Sequence, residues 1–134
     1  MIYSLKLDFK LNIFLMKIIN IREKYESFSD YWKPRVIAEL NDQQVIIAKV
    51  KGEFVWHNHK AEDELFNVIK GKLRMEFRDK IVEVNEGEMI VVPRGVEHRP
   101  VADEETWLLL FEPLSTKHTG DIDSKRTVKK YPRI

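Results

Sequence analysis

The chain has 134 residues, 43% of them hydrophobic and 34% charged, enough apolar content for a single core and no apolar run long enough to cross a bilayer. Its 23 Lys and Arg against 22 Asp and Glu leave a net charge of +1, so no strong field draws a polyanion, and neither nucleic acid nor a membrane is an expected partner. Cysteine is absent, which removes disulfides, thiolate nucleophiles, iron–sulfur clusters and Cys-type zinc sites, so any metal must sit on carboxylates and on His57, His59, His98 or His118.

At the N-terminus, Leu5, Leu7, Phe9, Leu11, Ile13 and Leu15 alternate with Ser4, Lys6, Asp8, Lys10 and Asn12. A secretory leader needs an uninterrupted apolar stretch, whereas this period of two fits a half-buried strand, and a cytoplasmic protein is expected. Met16 is an alternative start, with residues 1–16 then an extension. Ile21, Tyr25 and Phe28 have helical spacing, and Trp32-Lys33-Pro34 closes that segment.

Beyond Pro34 short β-type runs follow one another: Val36 to Leu40, Gln44 to Val50, Glu53 to His59, Glu64 to Lys70, Lys72 to Arg78, Lys80 to Val84, Glu88 to Val92, Glu97 to Val101 and Thr106 to Phe111. Gly52, Gly71, Arg78-Asp79, Glu86-Gly87 and Arg94-Gly95 mark the breaks. Eight or nine strands so closely spaced predict an all-β closed barrel or jelly roll. Phe66, Leu73, Met75 and Phe77 are expected to face inward, and Trp56 and Trp107 to serve packing. Residues 113–134, rich in Lys and Arg and poor in apolar periodicity, read as a C-terminal arm over the domain with a solvated charged surface.

The chemistry-bearing residues lie between Gly52 and His98. A strand through Phe54-Val55-Trp56-His57-Asn58-His59 puts Val55, His57 and His59 on one face. Glu64 shares a face with Phe66 and Val68, and His98 shares one with Val96 and Pro100. In a barrel all four polar side chains can project inward. Three imidazoles and a carboxylate then make a mixed nitrogen and oxygen site for one divalent transition metal. The bland alternative is a buried hydrogen-bonded network, because such groups are costly inside an apolar barrel unless satisfied.

These residues resemble the cupin superfamily. Gly52, His57, His59, Glu64 and Gly71 resemble its first motif, and Gly87, Pro93, Gly95 and His98 its second. Two positions depart from the pattern: Gly52 and His57 are one residue closer than usual, and Ala102 stands where a closing Asn is common. The resemblance covers roughly residues 45–112 and is greatest to small single-domain cupins labelled mannose-6-phosphate-isomerase-like, whose Phe-Glu-Pro run is matched by Phe111-Glu112-Pro113. It implies a double-stranded β-helix (jelly-roll barrel) over residues 17–112 with its lead-in. It also implies His57, His59, Glu64 and His98 as ligands of a single zinc, iron, manganese or nickel ion.

The expectation for function is a metal-dependent enzyme acting on a small polar metabolite, either an isomerase of sugars or sugar phosphates or an oxygenase. A metal-dependent binding or sensing module without turnover is the alternative, and a purely structural metal a third. A homodimer is expected, because small barrels with exposed edge strands commonly pair. Arg94 and Arg99, beside the second motif, are candidates to meet an anionic substrate.

Overall fold

The computed structural model describes residues 16–134; the strand expected over Leu5 to Leu15 lies outside the described residues. The chain opens with a short helix α1 (Ile21–Glu26) and continues through seven strands: β1 (Arg35–Leu40), β2 (Gln43–Glu53), β3 (Glu64–Lys70), β4 (Lys72–Phe77), β5 (Ile81–Asn85), β6 (Met89–Val92) and β7 (His98–Pro113). Asn20 caps the helix, its side chain accepting the Glu23 N–H. Among the described residues no helix is long and apolar enough to cross a membrane.

The strands form one antiparallel sheet in the order β1-β2-β7-β3-β6, with β4 pairing β5 and β7. The fold is the all-β jelly roll expected, with fewer and longer strands. β7 is the centre of it: Ile46 of β2 and Phe66 of β3 both lie opposite Leu110, while Met75 of β4 lies opposite Pro100. The two strands expected over Glu97 to Val101 and Thr106 to Phe111 are this one element. The acidic stretch between them does not break the strand; it lies where β7 leaves β4 and turns along β2 and β3, beside a register shift between Val50 and Gly52. Gly52 is therefore part of a bulged strand, paired with Ala102, rather than a turn before the first motif.

Alternation sorts the side chains as period two requires. Phe66 and Val68 on β3, Leu73 and Met75 on β4, and Leu108 and Leu110 on β7 are buried in the interior cluster, with Phe77 partly buried at its edge. Each such side chain contributes about 1.5–3 kcal/mol by leaving water. A second cluster covers the outside of the barrel, where Tyr25 of α1 stacks on Trp107 with ring centroids 4.7 Å apart and donates its hydroxyl to the Leu108 carbonyl. Gly71 joins β3 to β4 at φ +92°, and a Cβ there would lie 2.7 Å from the Thr106 hydroxyl oxygen, so the tight junction requires glycine.

The C-terminal segment does lie over the domain. Its charged side chains face solvent as expected, yet Thr116 and Thr119 are buried. Its end is tied down where Val36 N–H donates to the Pro132 carbonyl and Ile134 N–H to the Val36 carbonyl.

Candidate metal centre

The first motif does not fold as the regular strand expected over Glu53 to His59. After β2 ends, Phe54 N–H donates to the Pro100 carbonyl, and the only bridge in the following stretch is between His57 and His98. Phe54 is consequently buried and meets His57 edge-on with ring centroids 5.3 Å apart, whereas Val55 is only partly buried. The inward face is thus Phe54, His57 and His59. Val96 is also exposed, lying in the turn before β7 rather than on the face of His98. That turn is fastened to the first motif: Gly95 N–H donates to the His59 carbonyl at 2.8 Å. Glu64 is the first residue of β3, opposite Val92, and His98 the first of β7, opposite Phe77.

These four side chains converge. His57, His59, Glu64 and His98 are 2%, 4%, 5% and 1% exposed, and each offers a ligand atom within 4.8 Å of all the others. Donors on opposite sides of an ion at about 2.1 Å are about 4.2 Å apart, so small inward movements close the group on one ion. Glu64 Oε2 is 3.3 Å from His59 Nε2 and Oε1 is 3.8 Å from His98 Nε2. Neither contact has hydrogen-bond geometry, and both His59 ring nitrogens and His98 Nε2 are buried without a partner.

The tautomers suit a metal. His57 Nδ1 lies 2.9 Å from the Val55 carbonyl and His98 Nδ1 lies 2.9 Å from the Val96 carbonyl. A carbonyl only accepts, so each Nδ1 carries the proton and each Nε2 keeps its lone pair for a cation. Burial, with His98 close by, pushes His57 down to about 4, which keeps it neutral at physiological pH. Burial alone would raise Glu64, but His59 and His98 hold its carboxyl well below the usual range. Lone pairs without partners, ready-made tautomers and one ionised carboxylate together fit a divalent transition metal better than a self-satisfied hydrogen-bond network.

Arg94 and Arg99 do not turn to the centre. Arg94 pairs with Asp63 at 3.6 Å, and Arg99 bonds Glu76 at 2.6 Å and Glu53 at 3.4 Å. Trp56 packs under the Arg78 guanidinium, whose central carbon lies 3.8 Å from the ring centroid.

A family model described as Cupin domain matches residues 44–112. The chain belongs to the cupin family. A cupin-2 domain containing protein from Shewanella frigidimarina NCIMB 400, solved by crystallography, is 49% identical with a TM-score of 0.71, covering 72% of this chain and 94% of its own. The uncharacterized protein YdbB of Bacillus subtilis is 38% identical over 63% of this chain and 71% of its own length. Acireductone dioxygenase of Branchiostoma floridae is 30% identical over 62% of this chain, but the match spans only 52% of that protein.

In this cupin two of the four residues, His57 and Glu64, line a chamber of about 40 Å³, with Glu112, His118 and Tyr131 among apolar residues such as Ile46, Phe66 and Leu110. Three of these polar groups escaped the sequence reading. Glu112 is 1% exposed, takes the Gln44 amide at 3.1 Å and lies in hydrogen-bonding reach of Glu64. Burial and the Glu64 charge raise its carboxyl far above the ordinary range, so the two acids carry one negative charge between them. The signal was present: Leu108, Leu110 and Glu112 alternate on the buried face of β7. His118 and Tyr131 arrive from the C-terminal arm, with ring centroids 5.7 Å apart, and His118 lies 4.9 Å from Phe54. Burial pushes His118 down to about 4, against the opposing pull of the Glu64 carboxylate and the Arg126 carbonyl. No local pattern marks these two residues, because only the path of the arm brings them in.

Proposed function

We propose that this cupin is a metal-dependent enzyme of the oxygenase type, acting on a compact, oxygen-bearing metabolite at an iron ion held by His57, His59, Glu64 and His98. When bound, the ion supplies a Lewis acid with positions left open for the metabolite or dioxygen. The observation that carries the reading is the buried donor set, two of whose members, His57 and Glu64, line a small chamber with no Lys or Arg in its lining.

The chain's own residues divide the remaining work. His57 and His98 hold their Nε2 lone pairs inward by donating Nδ1–H to backbone carbonyls. Glu112, kept protonated, leaves Glu64 as the one charged carboxylate at the centre. Ile46, Phe66, Leu108 and Leu110 exclude bulk water, which strengthens every charge interaction inside. A sugar phosphate fits poorly, because a phosphate calls for fixed basic groups and both arginines beside the second motif are spent on carboxylates. The likeness to acireductone dioxygenase over about half of that protein's length (52%) supports oxygen chemistry.

The test is oxygen uptake by protein reconstituted with ferrous iron, supplied with a panel of small enediols, diketones and hydroxyketones. Substrate-dependent uptake, abolished by His98→Ala, is expected. A ligand that binds and is always recovered unchanged, with no uptake, would favour the binding module instead.

A further inference from the structure

The outer face of the main sheet is apolar where an antiparallel sheet turned toward water is ordinarily polar. Ile46, Phe66 and Leu110 are buried inside the barrel and Ile90 packs against them, so their neighbours along each strand point outward and align in rows across four strands. Val45 of β2 lies opposite Phe111 of β7, Phe111 opposite Leu65 of β3, and Leu65 opposite Val91 of β6. The next row runs Ile47, Leu109, Asn67, Met89, and Asn67 is the one polar member of the two rows. At one corner α1 covers this face, burying Ile47 with Tyr25 and Trp107. Away from α1 no described residue closes it over: Met89 is 60% and Val91 52% exposed, and Val45, Leu65, Leu109 and Phe111 are only partly buried.

The chain itself leads onto this face. Ile19, just before α1, packs against the same cluster as Val45, Ile69 and Leu109, so the segment that precedes it starts beside the rows. In that segment Leu5, Leu7, Phe9, Leu11, Ile13 and Leu15 alternate with polar residues, which gives an extended chain one apolar side and one wettable side. Size decides between this segment and a second copy as the occupant. Four strands about 4.8 Å apart and two rows about 6.8 Å apart make a patch of about 19 Å by 14 Å. That is well short of the ~800 Å² per partner that a stable association of two proteins buries. About six extended residues cross it, fewer than the segment supplies.

We propose that residues 5–15 of the same chain dock as an extended segment on the outer face of β2, β7, β3 and β6, with Phe9 and Leu11 set against the row of Phe111, Leu65 and Val91. Lys6, Asp8, Lys10 and Asn12 then face water, and the apolar rows are withheld from other molecules.

The full chain has no cysteine, so Asn12→Cys gives a single attachment point for a nitroxide on the polar side of the segment. In full-length protein labelled with nitrogen-15, paramagnetic broadening should be strong at the amides of Leu65, Val91 and Phe111 and weak at Arg74 and Glu83, which pair in β4 and β5 outside this set of strands. Adding Leu7→Asp and Phe9→Asp should erase that contrast. The same pair of substitutions without the label should raise the fluorescence of anilinonaphthalene sulfonate several-fold while the circular dichroism keeps its β signal. Broadening that is uniform, or confined to residues beside α1, would overturn the proposal. Nitroxide-bearing protein mixed with nitrogen-15 protein that lacks the nitroxide should give no broadening; broadening in the mixture would overturn docking within one chain and give the face to the segment of a second copy. A dimer in sedimentation that survives Leu7→Asp with Phe9→Asp and leaves the dye dark would contradict the proposal too, because two copies would then cover the face directly.

Discussion

His57 and His98 exchange both of their backbone hydrogen bonds, His57 N–H to the His98 carbonyl at 3.1 Å and His98 N–H to the His57 carbonyl at 2.9 Å. This single bridge joins the two motifs, bringing their ring centroids to 4.4 Å. The two imidazoles are thus held side by side by main-chain hydrogen bonds of their own.

Such preorganisation predicts that metal-free protein keeps the barrel. Chelation should lower the thermal midpoint through lost binding energy alone, and the far-ultraviolet circular dichroism at 25 °C should stay unchanged. Loss of the β signal on chelation would mean that the metal, not the backbone bridge, assembles the site.

The buried histidines predict a pH dependence. His57 and His118 are held near 4 in the fold against about 6.5 when unfolded, so between those values the unfolded chain binds more protons and stability falls as pH falls. Each group contributes at most about 1.4 kcal/mol per pH unit across that window. Glu112 acts in the opposite sense, since its raised carboxyl contributes stability that is present below about 4.5 and lost as pH rises toward its folded value. Urea unfolding of metal-free protein from pH 7 to 4 should show a net loss. His118→Gln should flatten it and Glu112→Gln should steepen it; parallel curves for all three proteins would contradict the assignment.

Gly120 is the most sensitive position in the arm. Gly120→Ala meets the Asn58 carbonyl and an unfavourable left-handed backbone together, a cost of at least about 1–2 kcal/mol. The variant should be cut by trypsin in the Lys-rich arm at concentrations that leave wild type intact, and its metal affinity should fall because Asn58 separates two of the donors. Unchanged proteolysis would show that the arm does not bear on Asn58.

The parts of the fold that follow from local periodicity were readable in the sequence. β3 buries Glu64, Phe66 and Val68 and β4 buries Leu73 and Met75, because both strands are regular and one face of each meets the core. Regularity fails elsewhere. Asp103-Glu104-Glu105 fell between two expected strands, yet β7 carries them through its bend, where Trp107 Nε1–H and the Tyr31 hydroxyl satisfy Glu105. The face of Phe54 was misplaced because its N–H bonds Pro100 across the barrel, a long-range event that alternation does not encode. The four donor residues were legible from spacing and family resemblance. The Glu112 carboxyl that neighbours them was legible only as a charge on a buried strand face, His118 only as a histidine outside both motifs, and Tyr131 not at all.

The central claim is that His57, His59, Glu64 and His98 hold one transition metal ion. Elemental analysis of purified wild type beside His57→Ala, Glu64→Gln and His98→Ala measures it most directly. About one metal per chain in wild type is expected, with affinity falling more than about 100-fold in each variant while the barrel stays folded. Wild type that is metal-free after growth and reconstitution, and no less stable than the variants, would contradict the account.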